Sequence, residues 1–244
     1  KAHAVLERQV SATDIDYEEN GNVLLDELFG CPRSYVPSGG DVAAACAEVA
    51  EGLTAKGAKP YVIPGGGSNP IGALGYVACA MELLDQAKAH GINVTQVVHG
   101  TGSSGTQAGL VAGFAALKSA VEVFGISVRH PRKKQEDMVF DLACRTADHL
   151  GISGIVERAR VVADDGYVGE GYGQPTPGMI DAVTLLARTE GILLDPVYSG
   201  KAMAGMIDHV RKGTFRTDED IVFLHTGGAT SLFGYKSLFF REAA

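Results

Sequence analysis

The chain has 244 residues, 45% of them hydrophobic, and a formal net charge of -8. This length allows one large α/β domain or two smaller ones with a sizeable core. The acidic balance argues against nucleic acid or an anionic membrane surface as the main partner, because both favour basic proteins. No apolar run approaches the roughly 20 residues of a membrane helix, and no signal peptide is recognised. We therefore expect a cytoplasmic protein that acts on a small molecule.

Short apolar runs alternate along the chain with segments of helical period, which predicts βα units around a parallel sheet. Strands are predicted in six runs: HAVL near the start, PYVIP ending at Pro64, VTQVVH ending at His99, VFGISV ending at Val128, ARVV ending at Val162 and IVFLH ending at His225. Helices are predicted over residues 41–56, 70–89, 106–118, 135–150, 177–189 and 200–212.

Two connections between these elements have a distinctive amino-acid composition. The Gly-rich run at residues 65–67 precedes a helix in which Asn69 is a candidate N-cap and Pro70 takes the first helical position. It is also a candidate domain junction. The stretch DDGYVGEGYGQPT, residues 164–176, has no periodicity and is rich in Gly, Tyr and acidic residues. A loop of this kind inside a domain is usually functional.

The cysteines and two strand-end histidines give no sign of a metal. Cys31, Cys46, Cys79 and Cys144 lie far apart and form no C-x-x-C pair, so we expect reduced core thiols. His99 and His225 each end a predicted strand, but no third ligand stands at metal-site spacing. Both are assigned to the core or to the support of neighbouring site residues.

The stretch VVHGTGSSGTQAG, residues 97–109, joins a predicted strand to a predicted helix. Gly100, Gly102 and Gly105 spell G-x-G-x-x-G, the dinucleotide fingerprint. That fingerprint needs an acidic residue about 20 positions on for the ribose hydroxyl. The next strand instead leads into Arg129, which would suit the 2'-phosphate of NADP. An NADP-dependent oxidoreductase therefore stays open.

Hydroxyl side chains surround the same glycines, at Thr101, Ser103, Ser104 and Thr106. A phosphate monoester is close to dianionic and presents three acceptor oxygens. Donor hydroxyls beside the free amides of a helix start match it better than they match a pyrophosphate. A cofactor with a monoester is favoured, and the alternative is a tight turn whose Ser and Thr only cap a helix.

Five stretches, taken in order, resemble fold-type II pyridoxal-phosphate enzymes of the group that contains aminocyclopropane-carboxylate deaminase, D-cysteine desulfhydrase and L-cysteate sulfo-lyase. They are YVIPGGGSNPIGALGY, HGTGSSGTQAG, DDGYVGEGYGQPT, GILLDPVYSGKAMAGMI and FLHTGGA. The resemblance covers essentially the whole chain and implies a tryptophan synthase β-like α/β enzyme, with parallel sheets flanked by helices, that binds pyridoxal 5'-phosphate and forms a homodimer. It implies the remainder of a smaller domain at residues 1–65 and a larger cofactor domain at residues 66–244.

The resemblance also implies roles for individual residues. The implied phosphate cradle consists of Gly102, Ser103, Ser104, Gly105 and Thr106. Thr226 would hydrogen-bond the pyridine nitrogen, and Ser68 and Asn69 would contact the substrate. Tyr172 and Tyr198 match two catalytic tyrosines, although each alone would as readily be a packing aromatic. The lysine that carries the cofactor in the family lies upstream of this sequence, and Lys201 is not its counterpart. We therefore expect these 244 residues alone to be inactive.

The implied reaction is α,β-elimination from a three-carbon amino acid with a sulfur-bearing β-substituent. Residues 17–29 and 128–136 look more like the cysteate sulfo-lyases than the desulfhydrases. The second segment is basic and could steer a sulfonate, or could simply be solvated. L-Cysteate, which gives pyruvate, ammonia and sulfite, is therefore predicted ahead of D-cysteine, which gives sulfide.

Two further functions are weighed against this one. The deaminase branch has a glutamate where Ser199 stands and lacks a threonine at the place of Thr226, so ring-opening of aminocyclopropane carboxylate is disfavoured. A non-catalytic relative that only binds the cofactor stays open.

Overall fold

Parallel strands organise the structure, which confirms the α/β class predicted from the alternation of apolar runs and helices. The computed structural model describes residues 1–8 and 15–240. A two-stranded sheet consists of β1 (Ala4–Glu7) and β2 (Arg33–Val36). A four-stranded sheet has the order β5 (Val162–Asp164), β4 (Glu122–Ser127), β3 (Val94–Thr101) and β6 (Asp220–Phe223). The pairings between these strands are parallel throughout the described residues, and helices flank the sheets.

The first compact unit comprises residues 1–66 and the chain from Ala229 onward. Its elements are β1 (Ala4–Glu7), α1 (Ile15–Glu19), α2 (Asn22–Leu28), β2 (Arg33–Val36), α3 (Val42–Ala55) and a 3-10 segment at Ala229–Leu238. Asp41 begins α3 by accepting the backbone N–H of Ala44 at 2.9 Å. This cap agrees with the helix start predicted at residue 41.

The C-terminal segment differs from the predicted division, which placed all of residues 66–244 in one domain. It groups with the first unit because Thr230 donates to the Asn22 side chain at 2.6 Å and Lys236 pairs with Asp16 at 2.7 Å. Tyr235 also stacks edge-on against Tyr17. Residues 9–14 and 241–244 of the predicted domains lie outside the described residues.

The second unit, Gly67–Gly228, contains the four-stranded sheet. Its elements are α4 (Pro70–His90), β3 (Val94–Thr101), α5 (Gly105–Ala116), β4 (Glu122–Ser127), α6 (Arg132–His149), β5 (Val162–Asp164), α7 (Pro177–Glu190), α8 (Ser199–Arg211) and β6 (Asp220–Phe223). Leu110 and Phe114 of α5 are fully buried in its main core with Val97 and Val139. The central strand β3 and helix α5 are therefore rigidly packed, and the loop between them starts from fixed ends.

The predicted element boundaries hold best where a helix has its own cap. Asn69 accepts the N–H of Gly72 at 2.7 Å and Thr176 accepts that of Met179 at 3.2 Å, each directly before a proline in the first turn. These contacts confirm the predicted starts of α4 and α7.

The strand predicted over PYVIP is wrong, because residues 60–64 have no strand assignment. Tyr61 is 71% exposed and Ile63 is 68% exposed, so this apolar run lacks the neighbours that a buried strand needs. The boundary of β5 is also shifted, because β5 begins at Val162, where the predicted strand ended.

The described residues contain no group of three metal-ligating side chains, and no described helix is long and apolar enough to cross a membrane. The four cysteines are free, and all are partly buried rather than fully buried in the core.

His99 near the end of β3 is a completely buried histidine. Its Nδ1 lies 2.5 Å from the carbonyl oxygen of Gly100, so Nδ1 carries the proton and donates it. The other ring nitrogen, Nε2, finds no hydrogen-bond partner among the described residues. Burial lowers the pKa of His99 to about 4, with the Gly100 carbonyl acting in the opposite direction. The complete burial of His99 confirms its predicted place in the core.

This pKa predicts an acid-sensitive contribution to stability. Between the ordinary histidine value of about 6.5 and about 4, the unfolded chain binds a proton at His99 and the folded chain does not. Stability is therefore lost as the pH falls through this window, by at most about 3 kcal/mol. His99→Gln should flatten the dependence of unfolding free energy on pH between 6.5 and 4, measured by urea denaturation. The exposed His149→Gln should keep the wild-type slope, and an unchanged slope in His99→Gln would contradict the assignment.

Candidate active site

The loop from Gly102 to Ser104 joins β3 to α5 at the carboxyl edge of the four-stranded sheet. Ser104 has a left-handed backbone (φ 82°, ψ -24°) at the N-cap of α5, yet its side chain does not cap that helix. The Ser104 hydroxyl is buried and finds no partner among the described residues. The first amides of α5 are not satisfied within the helix, and they carry the positive end of its dipole. A buried hydroxyl beside such amides is a site for an anionic oxygen.

Ser68 completes this cradle from the start of α4. Its hydroxyl accepts the backbone N–H of Gly105 at 3.0 Å. A Cβ at Gly105 would lie 2.8 Å from the Ser68 oxygen, so only glycine allows this approach. Asn69, predicted with Ser68 to contact substrate, uses its side-chain oxygen to cap α4. Ser68 therefore lies at the cradle, while a direct contact of either residue with substrate stays a prediction.

Gly100 and Gly102 make room for the ring of Tyr198. A Cβ at Gly100 would lie 2.7 Å from two ring carbons of Tyr198, and a Cβ at Gly102 would lie 3.3 Å from a third. All three glycines of the G-x-G-x-x-G pattern thus face a side chain of this protein, Tyr198 or Ser68. The pattern reflects the close packing of this site rather than the approach of a pyrophosphate.

Asp195 holds the turn that presents Tyr198. Its carboxylate accepts the backbone N–H groups of Val197 at 2.9 Å, Tyr198 at 2.7 Å and Ser199 at 2.8 Å. The Ser199 hydroxyl donates to the same carboxylate at 2.5 Å and accepts the N–H of Asp195 at 2.9 Å. Asp195 and Ser199 are each 2% exposed, so the network is shielded from water. It fixes the position of Tyr198 at the start of α8.

The two predicted tyrosines are near enough to influence each other electrostatically. Burial raises the pKa of Tyr198 well above its usual value, and the neighbouring Tyr172, Tyr76 and Asp195 raise it further. The hydroxyl of Tyr198 is therefore protonated at neutral pH and available as a hydrogen-bond donor. Tyr172 lies in the loop after β5, and the guanidinium of Arg129 is 5.4 Å from the centre of its ring.

Thr226 lies in the loop that follows β6. Because β6 and β3 are parallel neighbours, the loop after β6 begins at the same edge of the sheet as the cradle after β3. His225 shapes this loop by accepting the N–H of Gly227 at 3.1 Å and donating to the Leu193 carbonyl at 2.9 Å. His225 is exposed, so it supports the loop and does not belong to the core. A Cβ at Gly228 would lie 3.1 Å from the Asp195 carboxylate. Asp195 therefore contacts both the Tyr198 turn and the Thr226 loop.

Sequence reasoning missed three residues that build this site. The sequence does contain a signal for Asp195, which directly precedes Pro196 and lies three residues before Tyr198, the N-cap of α8. Asp side chains in such turns often accept backbone N–H groups. Gln135 of α6 is fully buried and donates to the Thr101 hydroxyl at 2.9 Å, behind the cradle. It lies within a charged run that gave no sign of burial. Tyr76 of α4 was hidden in an apolar helical stretch.

Residues 1–227 match the family model described as pyridoxal-phosphate dependent enzyme. The chain belongs to this family. The match decides the cofactor in favour of pyridoxal phosphate, and the NADP alternative is set aside.

Similar proteins place this pyridoxal-phosphate enzyme within the family. A D-cysteine desulfhydrase of Serratia proteamaculans is 41% identical over 232 residues, which cover 95% of this chain and 69% of the relative. The crystal structure of an ACC deaminase homologue superposes with a TM-score of 0.82 at 32% identity, over 98% of this chain and 78% of that one. A hydrogen sulfide-producing enzyme of Fusobacterium nucleatum is 17% identical with a TM-score of 0.54 over 93% of this chain and 79% of that one, and shares the fold.

The residues present fit the phosphate of this cofactor. The buried Ser104 hydroxyl, which has no partner within the described part of the chain, and the amides at the start of α5 would hold it. The predicted cradle also includes Gly102, Ser103, Gly105 and Thr106. Ser103 is exposed and Thr106 half-buried, so both can reach a bound anion. Thr226 is half-buried in the neighbouring loop, in keeping with its predicted place at the pyridine nitrogen.

The cradle assignment predicts weaker cofactor binding when the Ser104 hydroxyl is removed. Hydrogen bonds to charged groups contribute about 1.5–3 kcal/mol, so Ser104→Ala in the full-length protein should weaken pyridoxal-phosphate affinity by roughly 10- to 100-fold. Adding Thr106→Ala should weaken it further. Cofactor fluorescence during equilibrium dialysis measures the affinity.

Two variants control for backbone effects in this experiment. Ser104→Gly also lacks the hydroxyl but suits the left-handed backbone, so it should lose affinity as Ser104→Ala does. The exposed Thr189→Ala in α7 should bind as the wild type does. Wild-type affinity in Ser104→Gly would show that the backbone, and not the hydroxyl, matters.

Proposed function

We propose that this protein is a carbon–sulfur lyase that uses pyridoxal phosphate to eliminate the β-substituent of a three-carbon amino acid, with L-cysteate as its substrate. The observation that carries the reaction class is the packing of Tyr198 against Gly100 and against Gly102 of the predicted phosphate cradle, with Tyr172 near enough to raise the pKa of Tyr198. The 41% identity to a D-cysteine desulfhydrase supports the same class.

When bound, pyridoxal phosphate withdraws electrons from the α-carbon of an attached amino acid, which makes loss of the α-proton feasible. The chain's own residues hold the reactants in place around that step. Tyr198, protonated at neutral pH, donates a hydrogen bond to the substrate carboxylate or delivers a proton on the substrate side. Elimination removes the α-proton and breaks the bond between the β-carbon and sulfur. The three-carbon product then hydrolyses to pyruvate and ammonia.

Thr226 and Ser199 favour a good leaving group over ring-opening chemistry. A neutral hydroxyl of Thr226 beside the pyridine nitrogen would leave the bound ring a weaker electron acceptor than a carboxylate-held pyridinium, which suffices when the leaving group is good. The Ser199 hydroxyl donates to Asp195 and accepts from its N–H, so it is fully engaged in the turn. It cannot take the role of the glutamate found at this place in the deaminases.

Arg129 favours an anionic β-substituent. Two cations of the basic segment lie in α6 and have acidic partners there, since Arg132 pairs with Glu136 at 2.8 Å and Lys133 pairs with Asp137 at 2.6 Å. The guanidinium of Arg129 lies over Tyr172 in the predicted active-site loop. A sulfonate is a permanent anion, and a guanidinium at this place suits it. L-Cysteate is therefore the first candidate, and D-cysteine, supported by the desulfhydrase relative, is the second.

One assay separates the two substrates. The full-length protein, loaded with pyridoxal phosphate, is given L-cysteate and D-cysteine in turn, and sulfite, sulfide and pyruvate are measured. We expect sulfite and pyruvate in equal amounts from L-cysteate, at a higher kcat/KM than sulfide release from D-cysteine. Faster sulfide release would make the protein a D-cysteine desulfhydrase, and pyruvate from neither substrate would refute the proposed reaction.

The role of Arg129 predicts a loss that depends on substrate charge. Arg129→Ala should raise KM for L-cysteate by about tenfold, since hydrogen bonds to charged groups contribute about 1.5–3 kcal/mol. KM for D-cysteine should change little. Arg132→Ala, which removes a neighbouring exposed cation paired with Glu136, should leave both KM values near the wild type. Equal effects of Arg129→Ala on the two substrates would contradict recognition of the sulfonate.

A further inference from the structure

Lys201 is a fully buried lysine that the proposed reaction does not use. It lies in the first turn of α8, and its Nζ donates to the carbonyl oxygens of Val168 at 2.6 Å and Gly171 at 2.8 Å. Burying an ammonium group is unfavourable unless hydrogen bonds compensate it. Burial also lowers the pKa of Lys201 to about 8. The two hydrogen bonds compensate this burial and join α8 to the chain at Val168 and Gly171.

The two carbonyls belong to the loop at residues 165–176 that carries Tyr172. Gly171 directly precedes Tyr172, and Val168 lies on the other side of the same bend. Tyr198 stands three residues before Lys201, at the N-cap of α8. The ammonium group therefore connects the backbone next to one tyrosine with the helix start that carries the other.

This loop has little regular structure of its own. Gly169 and Gly173 have left-handed backbones (φ 67° and 79°), and the hydrogen bonds inside the loop include those from Val168 to Asp165 and from Gln174 to Gly171. A second connection to α8 lies at its start, where the Tyr167 hydroxyl donates to Asp208 at 2.6 Å. Lys201 holds the part of the loop between this contact and Tyr172.

We propose that Lys201 is a positioning residue that fastens the loop at residues 165–176 to α8 and so sets the place of Tyr172 relative to Tyr198. The inference rests on the proposed function, in which the two tyrosines face the substrate. Lys201 acts through the loop backbone and touches neither substrate nor cofactor.

Lys201→Met tests this role in the full-length holoenzyme, because methionine keeps an unbranched side chain but cannot donate. KM for the preferred substrate should rise by about tenfold or more, as expected for lost hydrogen bonds to a charged group. Affinity for pyridoxal phosphate should stay at the wild-type value, since Ser104 and α5 are untouched. The exposed Lys88→Met at the end of α4 is the matched control and should leave KM unchanged.

A second readout needs no activity. Glu170 is exposed within the loop, so a glutamate-specific protease should cut there faster in Lys201→Met than in the wild type or in Lys88→Met. This readout separates the inference from the proposed function. A protein that releases neither sulfite nor sulfide refutes the function, while the cleavage rate still tests the loop.

A double-mutant cycle distinguishes positioning from general stability. In a Tyr172→Phe background, Lys201→Met should add little further loss in KM if it acts through Tyr172. Full additivity of the two KM effects would overturn the proposal. So would a wild-type KM and a wild-type cleavage rate in Lys201→Met.

Should Lys201→Met fail to fold, Lys201→Arg takes its place, because arginine keeps the donors on a longer side chain. For Lys201→Arg, the rate of cleavage at Glu170 and the KM should both lie between the wild-type values and those expected for Lys201→Met. A wild-type cleavage rate together with a raised KM would overturn the proposal.

Discussion

The carboxylate of Asp195 is the contact on which the arrangement of the site depends. It accepts three successive backbone N–H groups and the Ser199 hydroxyl, which satisfies the start of α8 from within the preceding turn. Since the network is almost fully buried, loss of the carboxylate would leave several donors without water or partner. The position of Tyr198 follows from this turn, and its ring lies against Gly100 and Gly102, where a side chain would crowd it.

The cradle and the tyrosines are therefore one structure rather than two neighbouring motifs. Gly102 belongs to the loop that would hold the cofactor phosphate and also to the surface on which Tyr198 packs. Ser68 joins the start of α4 to the start of α5 through the N–H of Gly105. A shift of any one of these elements moves both the anion site and the tyrosine, which explains why small residues fill the whole stretch.

The sequence predicted those parts of the fold that local chemistry determines. Asn69 with Pro70 and Thr176 with Pro177 mark helix starts because the cap and the proline act within one turn. The strand over PYVIP failed because an apolar run does not reveal whether a partner strand exists. The short β2, α1 and α2 were not predicted, since four to seven residues give too few periods to recognise. The tyrosine pair came from the family resemblance, while Asp195, Gln135 and Lys201 act through contacts made only after folding.

Charge explains how an acidic protein can bind anions at this site. A net charge of -8 acts over distances that salt screens within about 8–10 Å, whereas the cradle works through amides and hydroxyls in direct contact. Arg132 and Lys133 are exposed, and acids one helical turn away compensate their charges, so these two residues contribute little to long-range steering. Discrimination between an anionic and a neutral substituent must then arise at short range. Arg129, over the ring of Tyr172, has the chemistry for that task, and the loop held by Lys201 sets where its partner ring stands.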